Sequence, residues 1–376
     1  MSKRFILFPN IFEQWGEQVY IQEQQGPKVS PEVLGNFLDR LKRVFEKVVR
    51  ASPSWSEVSS QLFLMVNPAA GKIQSSKERT ALIESLESVS AFLVPQDQRN
   101  KNQINRVHVI ASHEPGELIR QAHDLRIQGA LGILVSFGGD GTHQEVLNGI
   151  IERGVDTRLC RYPMGTGNDG VDVRTPEDLV HFVFHGPKSP GKLLEAVRVT
   201  TSRGFNRLSG NITGVGMDAY IGFLSQKYKR TLPGEAYKIA ADLGVLFYRK
   251  KYDLRECKVV LSQPNGPIQT LHLVPGIMCF GASGRRTYGM GIPILPSEEN
   301  VCLIPMGSLG QNLALKSHLY KAEHGNNPRV QMYKAQRLEI HYDALLPMQM
   351  DGEIAWLEPE DFPVIFERIQ LLPRVL

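Results

Sequence analysis

The chain has 376 residues, of which 42% are hydrophobic and 22% charged, a composition that excludes a disordered or fibrous protein and suits two or three domains. Its 43 Lys and Arg residues exceed its 39 Asp and Glu residues by four, too mild an excess to indicate nucleic-acid binding but enough to permit a basic patch for an anionic partner. Four cysteines without a CxxC pair fit a reducing compartment, and no apolar run approaches the roughly 18 residues of a membrane span, so we expect a cytoplasmic protein whose membrane contact is peripheral.

Residues 1–60 form an N-terminal extension that we expect to be partly helical. Ser30 followed by Pro31 is a favourable helix start, and the apolar residues beyond it recur at helical spacing while the opposite face is basic. Such a helix can lie on an anionic membrane, or it can pack its apolar face against the next domain. We favour packing, because an amphipathic pattern is first of all typical of a helix that borders a core.

Residues 61–195 alternate short apolar segments with amphipathic ones. The predicted elements are strands at Leu62–Val66, Val107–Ala111 and Leu131–Phe137, a fourth strand ending near Tyr162, and helices at Ser76–Leu86, Pro115–Leu125 and Thr142–Glu152. Continuously apolar strands between helices predict an α/β fold with a parallel sheet covered on both faces. Ligands bind such sheets at the carboxyl ends of the strands, and the Gly-rich segments of this region fall there.

The pattern changes near residue 195. Beyond it, short alternating segments separated by Gly and Pro turns predict strands at Arg198–Val199, Leu271–Val274, Val301–Ile304 and Leu338–Ile340. One helix is expected from about Pro233 to Tyr248. We therefore predict a second domain that is mostly antiparallel.

The segment Gly138-Gly139-Asp140-Gly141-Thr142 follows the most apolar predicted strand and opens a helix. Glycines at a strand end let backbone N–H groups approach phosphate oxygens, and a helix N-terminus adds positive potential. An aspartate beside a phosphate is unfavourable unless it holds a metal ion or accepts a proton, and both are roles in phosphoryl transfer. The alternative is a tight turn in which Asp140 caps the helix. We favour the phosphate-binding role.

Two further loops follow predicted strands. Residues 67–72 contain a Gly and a Lys that suit phosphate, but they lack the spacing of a Walker A loop and are explained equally well by a turn before a helix. Residues 163–169 match GxGxxG when Gly170 is included, yet they lie in the fourth strand–helix unit without an acidic partner, so we reject a nicotinamide cofactor. Thr166 and Asn168 instead offer a hydroxyl and an amide that can contact a base or a ribose.

Two acidic motifs occur in the second predicted domain. Met350-Asp351-Gly352-Glu353 is by itself best explained as a hairpin turn, because Asp-Gly between alternating segments is a strong turn signal. Gly214-Val215-Gly216-Met217-Asp218-Ala219 ends in an acid, and it fits the lining of a pocket as well as it fits a strand turn. Neither motif identifies a function alone.

Taken together, five motifs resemble the diacylglycerol kinase catalytic family, which includes bacterial lipid kinases and the related sphingosine and ceramide kinases. In chain order they are NPAAGK (67–72), GGDGT (138–142), PMGTGND (163–169), GVGMDA (214–219) and MDGE (350–353). The resemblance covers about residues 61–376. It implies phosphorylation of a lipid hydroxyl by ATP with Mg²⁺, and we expect diacylglycerol as the acceptor and phosphatidic acid as the product.

The resemblance also implies a fold. An ATP-binding α/β domain of the NAD kinase and diacylglycerol kinase type would span residues 61–195, and a β-sandwich domain for the lipid substrate would span 196–345. The last segment, 346–376, would return to the first domain.

Roles for single residues follow from the same resemblance. ATP would be bound by Asn67, Gly71, Lys72, Gly138, Gly139, Gly141, Thr142, Gly165, Thr166, Asn168 and Glu353. Asp140 and Asp351 are each a candidate catalytic base and a candidate Mg²⁺ ligand, and the sequence leaves the choice between them open. Asp218 would lie near the lipid head group or the metal.

The chain departs from the family where bacterial relatives carry an acidic Asp-Gly turn. Here residues 297–300 read Ser-Glu-Glu-Asn, which weakens the expectation of a structural Mg²⁺ site at this position.

Two basic segments are candidates for docking on a membrane, and a solvated basic face is the alternative. They are residues 227–230, with Tyr228 among them, and residues 249–251. We expect a lipid substrate at a membrane surface and no nucleic acid, and we leave a homo-oligomer open.

Three alternative functions are kept. The acceptor can be a sphingoid base, ceramide or another lipid; an NAD-kinase-like enzyme would phosphorylate a soluble substrate; and a regulator would bind lipid or nucleotide without catalysis. The form of the first, third and last motifs argues against the NAD-kinase-like enzyme. The presence of both Asp140 and Asp351 argues against the regulator.

Overall fold

The structure is a computed structural model that describes residues 29–93, 106–114, 116–125, 127, 131–151, 157–165, 170–189, 191–228, 236–264, 266–288 and 291–375. Within this described part, the chain forms two compact units. The first unit contains residues up to 194 together with those from 370 onward, and the second unit contains residues 195–369.

The first unit is built on a parallel sheet, as the alternating pattern predicts. Its strands, in spatial order, are β2 (Val107–Ala111), β1 (Ser60–Val66), β3 (Leu131–Gly138) and β4 (Thr157–Pro163). β1, β3 and β4 are buried along their whole length, which explains the mostly apolar sequences of β1 and β3, whereas β4 also buries Arg158 and Arg161. Val66 pairs with Phe137 and Phe137 pairs with Tyr162, so these three strands end level with one another.

Helices cover both faces of this sheet. They are α1 (Pro31–Ala51), α2 (Pro53–Glu57), α3 (Gly71–Gln74), α4 (Ser76–Ala91), α5 (Glu117–His123), α6 (Asp140–Ile151) and α7 (Pro176–His185). Side chains of α1, α4 and α7 share one core with Leu62, Leu64 and Val66 of β1. On the other face, Ser136 of β3 forms a hydrogen bond of 2.7 Å with His143 of α6. The described helices include none that is both long and apolar enough to cross a bilayer.

Helix α1 confirms the favoured interpretation of the N-terminal amphipathic pattern. Ser30 caps it by accepting a hydrogen bond from the Val33 N–H, and Pro31 occupies its first turn. Leu41, Phe45 and the other residues of its apolar face are buried in the core of the first unit. That face is therefore not available to a membrane, and the described part of the extension belongs to the first unit.

The second unit is mostly antiparallel, as predicted. Its strands are β5 (Lys192–Thr200), β6 (Asn206–Ser209), β7 (Ile212–Gly216), β8 (Cys257–Ser262), β9 (Gln269–Leu273), β10 (Ile277–Gly281), β11 (Arg286–Tyr288), β12 (Ile292–Leu295), β13 (Val301–Ile304), β14 (Gln331–Tyr333), β15 (Arg337–His341), β16 (Leu346–Met350), β17 (Glu353–Leu357) and β18 (Val364–Val375). Its helices are α8 (Met217–Tyr228), α9 (Ala236–Lys251) and α10 (Leu309–Tyr320).

Two sheets of this unit form a sandwich. One has the order β14-β13-β10-β7-β16-β17, and the other runs β18-β15-β8-β9. Phe280 of β10 meets Phe366 of β18 in the core between the sheets, with 6.3 Å between the ring centroids. The opposite face of the first sheet, which includes Cys279 and Cys302, is covered by α8, α9 and α10.

The structure differs from the expected domain division at the C-terminus. Only residues from 370 onward belong to the first unit, where Pro373 and Arg374 pair with β4. Residues 346–369 stay in the second unit, because β16 is hydrogen-bonded between β7 and β17. A strand with a partner on each side cannot leave its sheet without breaking both ladders.

Candidate functional site

The loops after β1 and β3 are joined by one asparagine. The Asn67 side-chain amide donates to the Thr142 hydroxyl at 2.8 Å, and the Asn67 N–H donates to the carbonyl of Phe137 at 3.1 Å. The side-chain oxygen of Asn67 accepts a hydrogen bond of 2.9 Å from the Ala69 N–H, which shapes the turn before α3. The first motif therefore lies against the N-terminus of α6.

The loop after β4 joins the same place. The carbonyl of Gly138 accepts hydrogen bonds from the N–H groups of Met164 (2.8 Å) and Gly165 (3.0 Å), and the Lys72 N–H donates to the Met164 carbonyl at 2.9 Å. A Cβ atom at Gly138 would lie 2.3 Å from the Thr142 Cβ, so glycine is required here by close approach. Three of the predicted loops thus converge at one edge of the parallel sheet. Thr166 and Asn168 lie outside the described residues.

Asp140 is the first residue of α6 and is half-buried. Its Oδ1 accepts a hydrogen bond of 3.1 Å from the Gly170 N–H, which belongs to the loop after β4. The predicted helix start at Thr142 is therefore two residues late. A carboxylate at a helix N-terminus is stabilised by the positive end of the helix dipole.

A buried ion pair that sequence reasoning missed closes the loop after β4. Arg161 donates from Nε to one Asp172 carboxylate oxygen at 3.0 Å and from a terminal nitrogen to the other at 2.9 Å, and both side chains are less than 10% exposed. The Arg161 N–H also donates to Asp172 at 2.9 Å. The pair joins the two ends of residues 162–171. The signal in the sequence was a pair of arginines, Arg158 and Arg161, within the segment predicted as the fourth strand.

A groove of about 340 Å³ opens beside these loops. Tyr162 and Met164 line one part of it, and Leu82 of α4 lines another. Lys72 and Arg174 add two cationic side chains and Glu78 adds one anionic side chain. This volume lies at the small end of typical ligand pockets, and an apolar lining with an excess of positive charge suits a nucleoside phosphate. Sequence reasoning singled out Lys72 but missed Arg174.

Asp351 lies in the turn between β16 and β17, where the hairpin expected from Asp-Gly is confirmed. Its carboxylate accepts four hydrogen bonds from one segment: the Ser209 hydroxyl and the N–H groups of Gly210, Asn211 and Ile212, at 2.7 to 3.0 Å. Its backbone is in the left-handed region, with φ of 51°. Asp351 thus holds the β6–β7 turn in shape.

Asp218 is the second residue of α8 and is buried. Its Oδ2 accepts a hydrogen bond of 2.7 Å from the Tyr288 hydroxyl, and a Cβ atom at Gly214 would lie 2.5 Å from that oxygen. Among the described residues, its Oδ1, the Gln349 Nε2 and the Tyr248 hydroxyl are buried without a hydrogen-bond partner. Burial raises the pKa of Asp218 to about 6, against the opposing effect of the Tyr288 hydrogen bond.

Residues 61–180 match the family model of the diacylglycerol kinase catalytic domain. Over these residues the chain is similar to the diacylglycerol kinase catalytic family, as its five motifs predict. Diacylglycerol kinase from Staphylococcus aureus strain JH9 is 25% identical over 238 residues, which cover 61% of this chain and 70% of that protein, and the enzyme from strain Newman gives the same values. The chain is therefore an ATP-dependent kinase. The residues that match the family model include the three converging loops.

The kinase fold extends beyond the matched domain. A crystal structure of a diacylglycerol kinase from Bacillus anthracis strain Sterne superimposes with a TM-score of 0.51 at 15% identity, covering 84% of this chain and 96% of that one. A second crystal structure from the same strain gives a TM-score of 0.54 at 17% identity with the same coverage. At such identities the likeness concerns the fold, and it spans both units.

The predicted residues divide between the two units. The first unit contains Asp140 and the described members of the predicted ATP set, apart from Glu353. Glu353 is exposed at the start of β17 in the second unit, together with Asp351 and Asp218.

The carboxylates differ in how well they fit a Mg²⁺ ion. Three of the four donors around Asp351 bond its Oδ1 and one bonds its Oδ2, so these donors compete with a metal ion for the carboxylate oxygens. Asp140 is the better candidate, because it lies where the three loops of the first unit meet. Among the described residues, no three His, Cys, Asp or Glu side chains form a cluster that suits a metal ion.

Proposed function

We propose that this kinase transfers the γ-phosphoryl group of ATP to the hydroxyl of diacylglycerol, which gives phosphatidic acid and ADP. The observation that carries the proposal is the convergence of the Asn67, Gly138 and Gly165 loops on the N-terminus of α6, within a diacylglycerol kinase catalytic domain. The acceptor is inferred from the Staphylococcus aureus relatives, which are diacylglycerol kinases. The mostly antiparallel second unit supports a separate domain for the lipid.

The first unit supplies the groups that bind a nucleoside triphosphate. Backbone N–H groups at the start of α6 suit the phosphates, and the groove lined by Tyr162, Met164 and Leu82 suits the nucleoside. Lys72 and Arg174 supply positive charge at the groove. Mg²⁺ brought with the nucleotide would neutralise phosphate charge, with Asp140 as the described acid that fits it.

Asp140 is the acid that we propose as proton acceptor. A lipid hydroxyl is a poor nucleophile until a base takes its proton, and such assistance is typically worth about 10²–10⁴-fold in rate. As the oxygen–phosphorus bond forms and the bond to ADP breaks, the hydroxyl proton passes to the Asp140 carboxylate. The four donors around Asp351 already engage its carboxylate oxygens, which favours Asp140 for this step.

A phosphotransfer assay with purified full-length chain tests the proposal. Labelled ATP is offered with micellar diacylglycerol, monoacylglycerol, sphingosine or ceramide, and separately with NAD or fructose 6-phosphate. We expect labelled phosphatidic acid as the main product. Transfer only to a sphingoid base or ceramide would replace the acceptor, transfer to NAD would support an NAD-kinase-like enzyme, and nucleotide binding without any transfer would support a regulator.

A further inference from the structure

Exposed apolar side chains cluster on two helices of the second unit. In the described part of the chain, nine large hydrophobic side chains are exposed, and five of them lie on α9 and α10. They are Leu246 and Phe247 on α9, and Leu309, Leu313 and Tyr320 on α10. Leu309 is 50% exposed and Phe247 is 45% exposed, so the apolar surface offered to solvent is substantial. We call these five residues the apolar patch.

The two helices touch each other, which joins their exposed residues into one surface. Lys316 of α10 forms a salt bridge with Asp242 of α9. Leu246 lies one helical turn after Asp242, and Leu313 lies three residues before Lys316, so each shares a face with its member of the bridge. The apolar residues of α9 and α10 therefore meet at the Lys316–Asp242 pair.

The patch is not needed to hold the helices in place. The opposite faces of the same helices are buried: Ala240, Val245 and Tyr248 of α9 and Leu315 of α10 belong to one core with the covering sheet. Exposed Leu and Phe residues next to such a firmly packed face are unfavourable in water unless something else covers them.

The charge around the patch indicates what covers it. The two helices contain five basic residues, Lys238, Arg249, Lys250, Lys251 and Lys316, and one acidic residue, Asp242. Five minus one gives +4, which equals the formal net charge of the whole chain. Apolar side chains surrounded by basic ones match an anionic lipid surface, where the apolar groups enter the interface and the cations meet the head groups.

Two lysines are already arranged in this way. Lys250 Nζ lies 5.9 Å from the centroid of the Phe247 ring, and Lys316 Nζ lies 5.9 Å from that of the Tyr320 ring. In both pairs the ammonium group lies over the aromatic ring, so a cation and an apolar ring are next to each other on the surface. At a membrane surface the ring can enter the interface while the lysine reaches the head-group layer with its charged tip.

We propose that the apolar patch, with the basic residues Arg249, Lys250 and Lys251, docks the enzyme on an anionic bilayer. This inference rests on the proposed function, since an enzyme that takes a lipid acceptor has to reach it in a membrane. It selects the basic residues 249–251 and adds helix α10, which the sequence did not single out. Of the other basic candidates, Lys227 and Tyr228 end α8, and residues 229 and 230 lie outside the described part.

Co-sedimentation with vesicles tests the inference without any catalysis. The full-length chain is mixed with vesicles of phosphatidylcholine alone or of phosphatidylcholine with phosphatidylglycerol, in the absence of ATP and diacylglycerol. We expect binding to the anionic vesicles only. The variants Leu246→Ser/Phe247→Ser and Lys250→Glu/Lys251→Glu should each weaken that binding by roughly tenfold or more, because each removes two contacts of the patch.

Matched controls come from exposed residues of the same unit. Ile268, which is 69% exposed, and Lys258, which is exposed on β8, lie away from the patch in sequence and on other elements. Ile268→Ser and Lys258→Glu should bind anionic vesicles as the unchanged protein does. All the variants should keep their activity on a short-chain diacylglycerol in detergent micelles, because none of them touches the ATP loops.

The outcomes separate this inference from the proposed function. Patch variants that bind anionic vesicles as well as the controls would overturn the docking surface, even if the enzyme phosphorylates micellar lipid. A different result is that the unchanged protein does not bind vesicles but forms a dimer in solution, and that the patch variants are monomers. This result would show instead that the patch contacts a second copy of the chain. The protein can also bind anionic vesicles, lose this binding in the patch variants, and show no lipid kinase activity. That result would support the docking surface and contradict the proposed function.

Discussion

The two aspartates that look alike in the sequence have different hydrogen-bond partners in the structure. Asp140 and Asp351 each precede a glycine in a short motif, and each is a candidate for the chemical step. Asp140 lies half-exposed at the start of α6 and accepts a hydrogen bond from the loop after β4. Asp351 accepts four hydrogen bonds from the β6–β7 turn. The comparison teaches that donors around a carboxylate, rather than its motif, decide whether it is available for chemistry.

The largest expected effect is on turnover. Asp140→Asn keeps the size of the side chain and removes the proton acceptor, so we expect kcat for diacylglycerol to fall by about 10²–10⁴-fold. The midpoint of urea unfolding should change little. Asp178 is a matched control, because it also lies in the first turn of a helix, and Asp178→Asn should leave kcat unchanged. A near-normal kcat for Asp140→Asn would remove Asp140 from the mechanism.

The loop that holds Asp140 offers the next largest effect. Gly170, the hydrogen-bond partner of Asp140, lies in the segment closed by the buried Arg161–Asp172 pair. Asp172→Ala leaves a buried guanidinium without its partner, and we expect the free energy of unfolding in urea to fall by about 3–5 kcal/mol. Glu87→Ala breaks the Arg40–Glu87 pair, whose side chains are 40% and 45% exposed, and should cost no more than about 1 kcal/mol. Equal losses for the two variants would contradict the anchoring role of the buried pair.

Substitution of Asp351 should lower the stability of the protein more than it lowers turnover. Asp351→Asn replaces one acceptor oxygen by an NH₂ group that faces N–H donors, so we expect the free energy of unfolding to fall by about 1–3 kcal/mol. Asp343, which is exposed, gives the control Asp343→Asn with little change. Turnover per folded molecule should fall less than in Asp140→Asn. A loss of 10²-fold or more at unchanged stability would instead assign the base to Asp351.

The smallest expected effect is on the pH dependence of the free energy of unfolding, and it concerns Asp218, the acidic residue of the GVGMDA motif. The pKa of Asp218 is raised to about 6 in the folded protein, so between about pH 4 and pH 6 the folded state binds the proton more tightly than the unfolded state does. Ionisation therefore lowers stability as pH rises through this window. Relative to Asp218→Asn, the unchanged protein should lose on the order of 2 kcal/mol of unfolding free energy between pH 4 and pH 7.

Urea unfolding at a series of pH values measures this difference, because the other titrating groups are common to both proteins and cancel. A constant difference across the pH range would contradict a raised pKa for Asp218. Such a result would mean that neighbouring groups offset the cost of burying the Asp218 carboxylate.

Local patterns predicted much of the fold. The strand Val107–Ala111 and the strand Val301–Ile304 are found with the predicted bounds, and the Asp-Gly turn joins β16 to β17 as expected. The convergence of loops at one edge of the parallel sheet also follows from the sequence, since the carboxyl ends of parallel strands lie at the same edge of a sheet. Periodicity and turn residues act over a few positions, and a sequence displays those directly.

Contacts between distant residues required the tertiary structure. Ser209 and Asp351 are 142 positions apart, and nothing in either segment indicates that the one would donate to the other. The same is true of the buried Asp218 beside Tyr288 and of the meeting of α9 with α10, which turns scattered Leu, Phe and Lys residues into one surface. The sequence by itself determined the strands, the glycine-rich loops and the kind of chemistry. The tertiary structure decided which carboxylates are buried or already hydrogen-bonded, because burial and donor number depend on how the sheets and helices assemble.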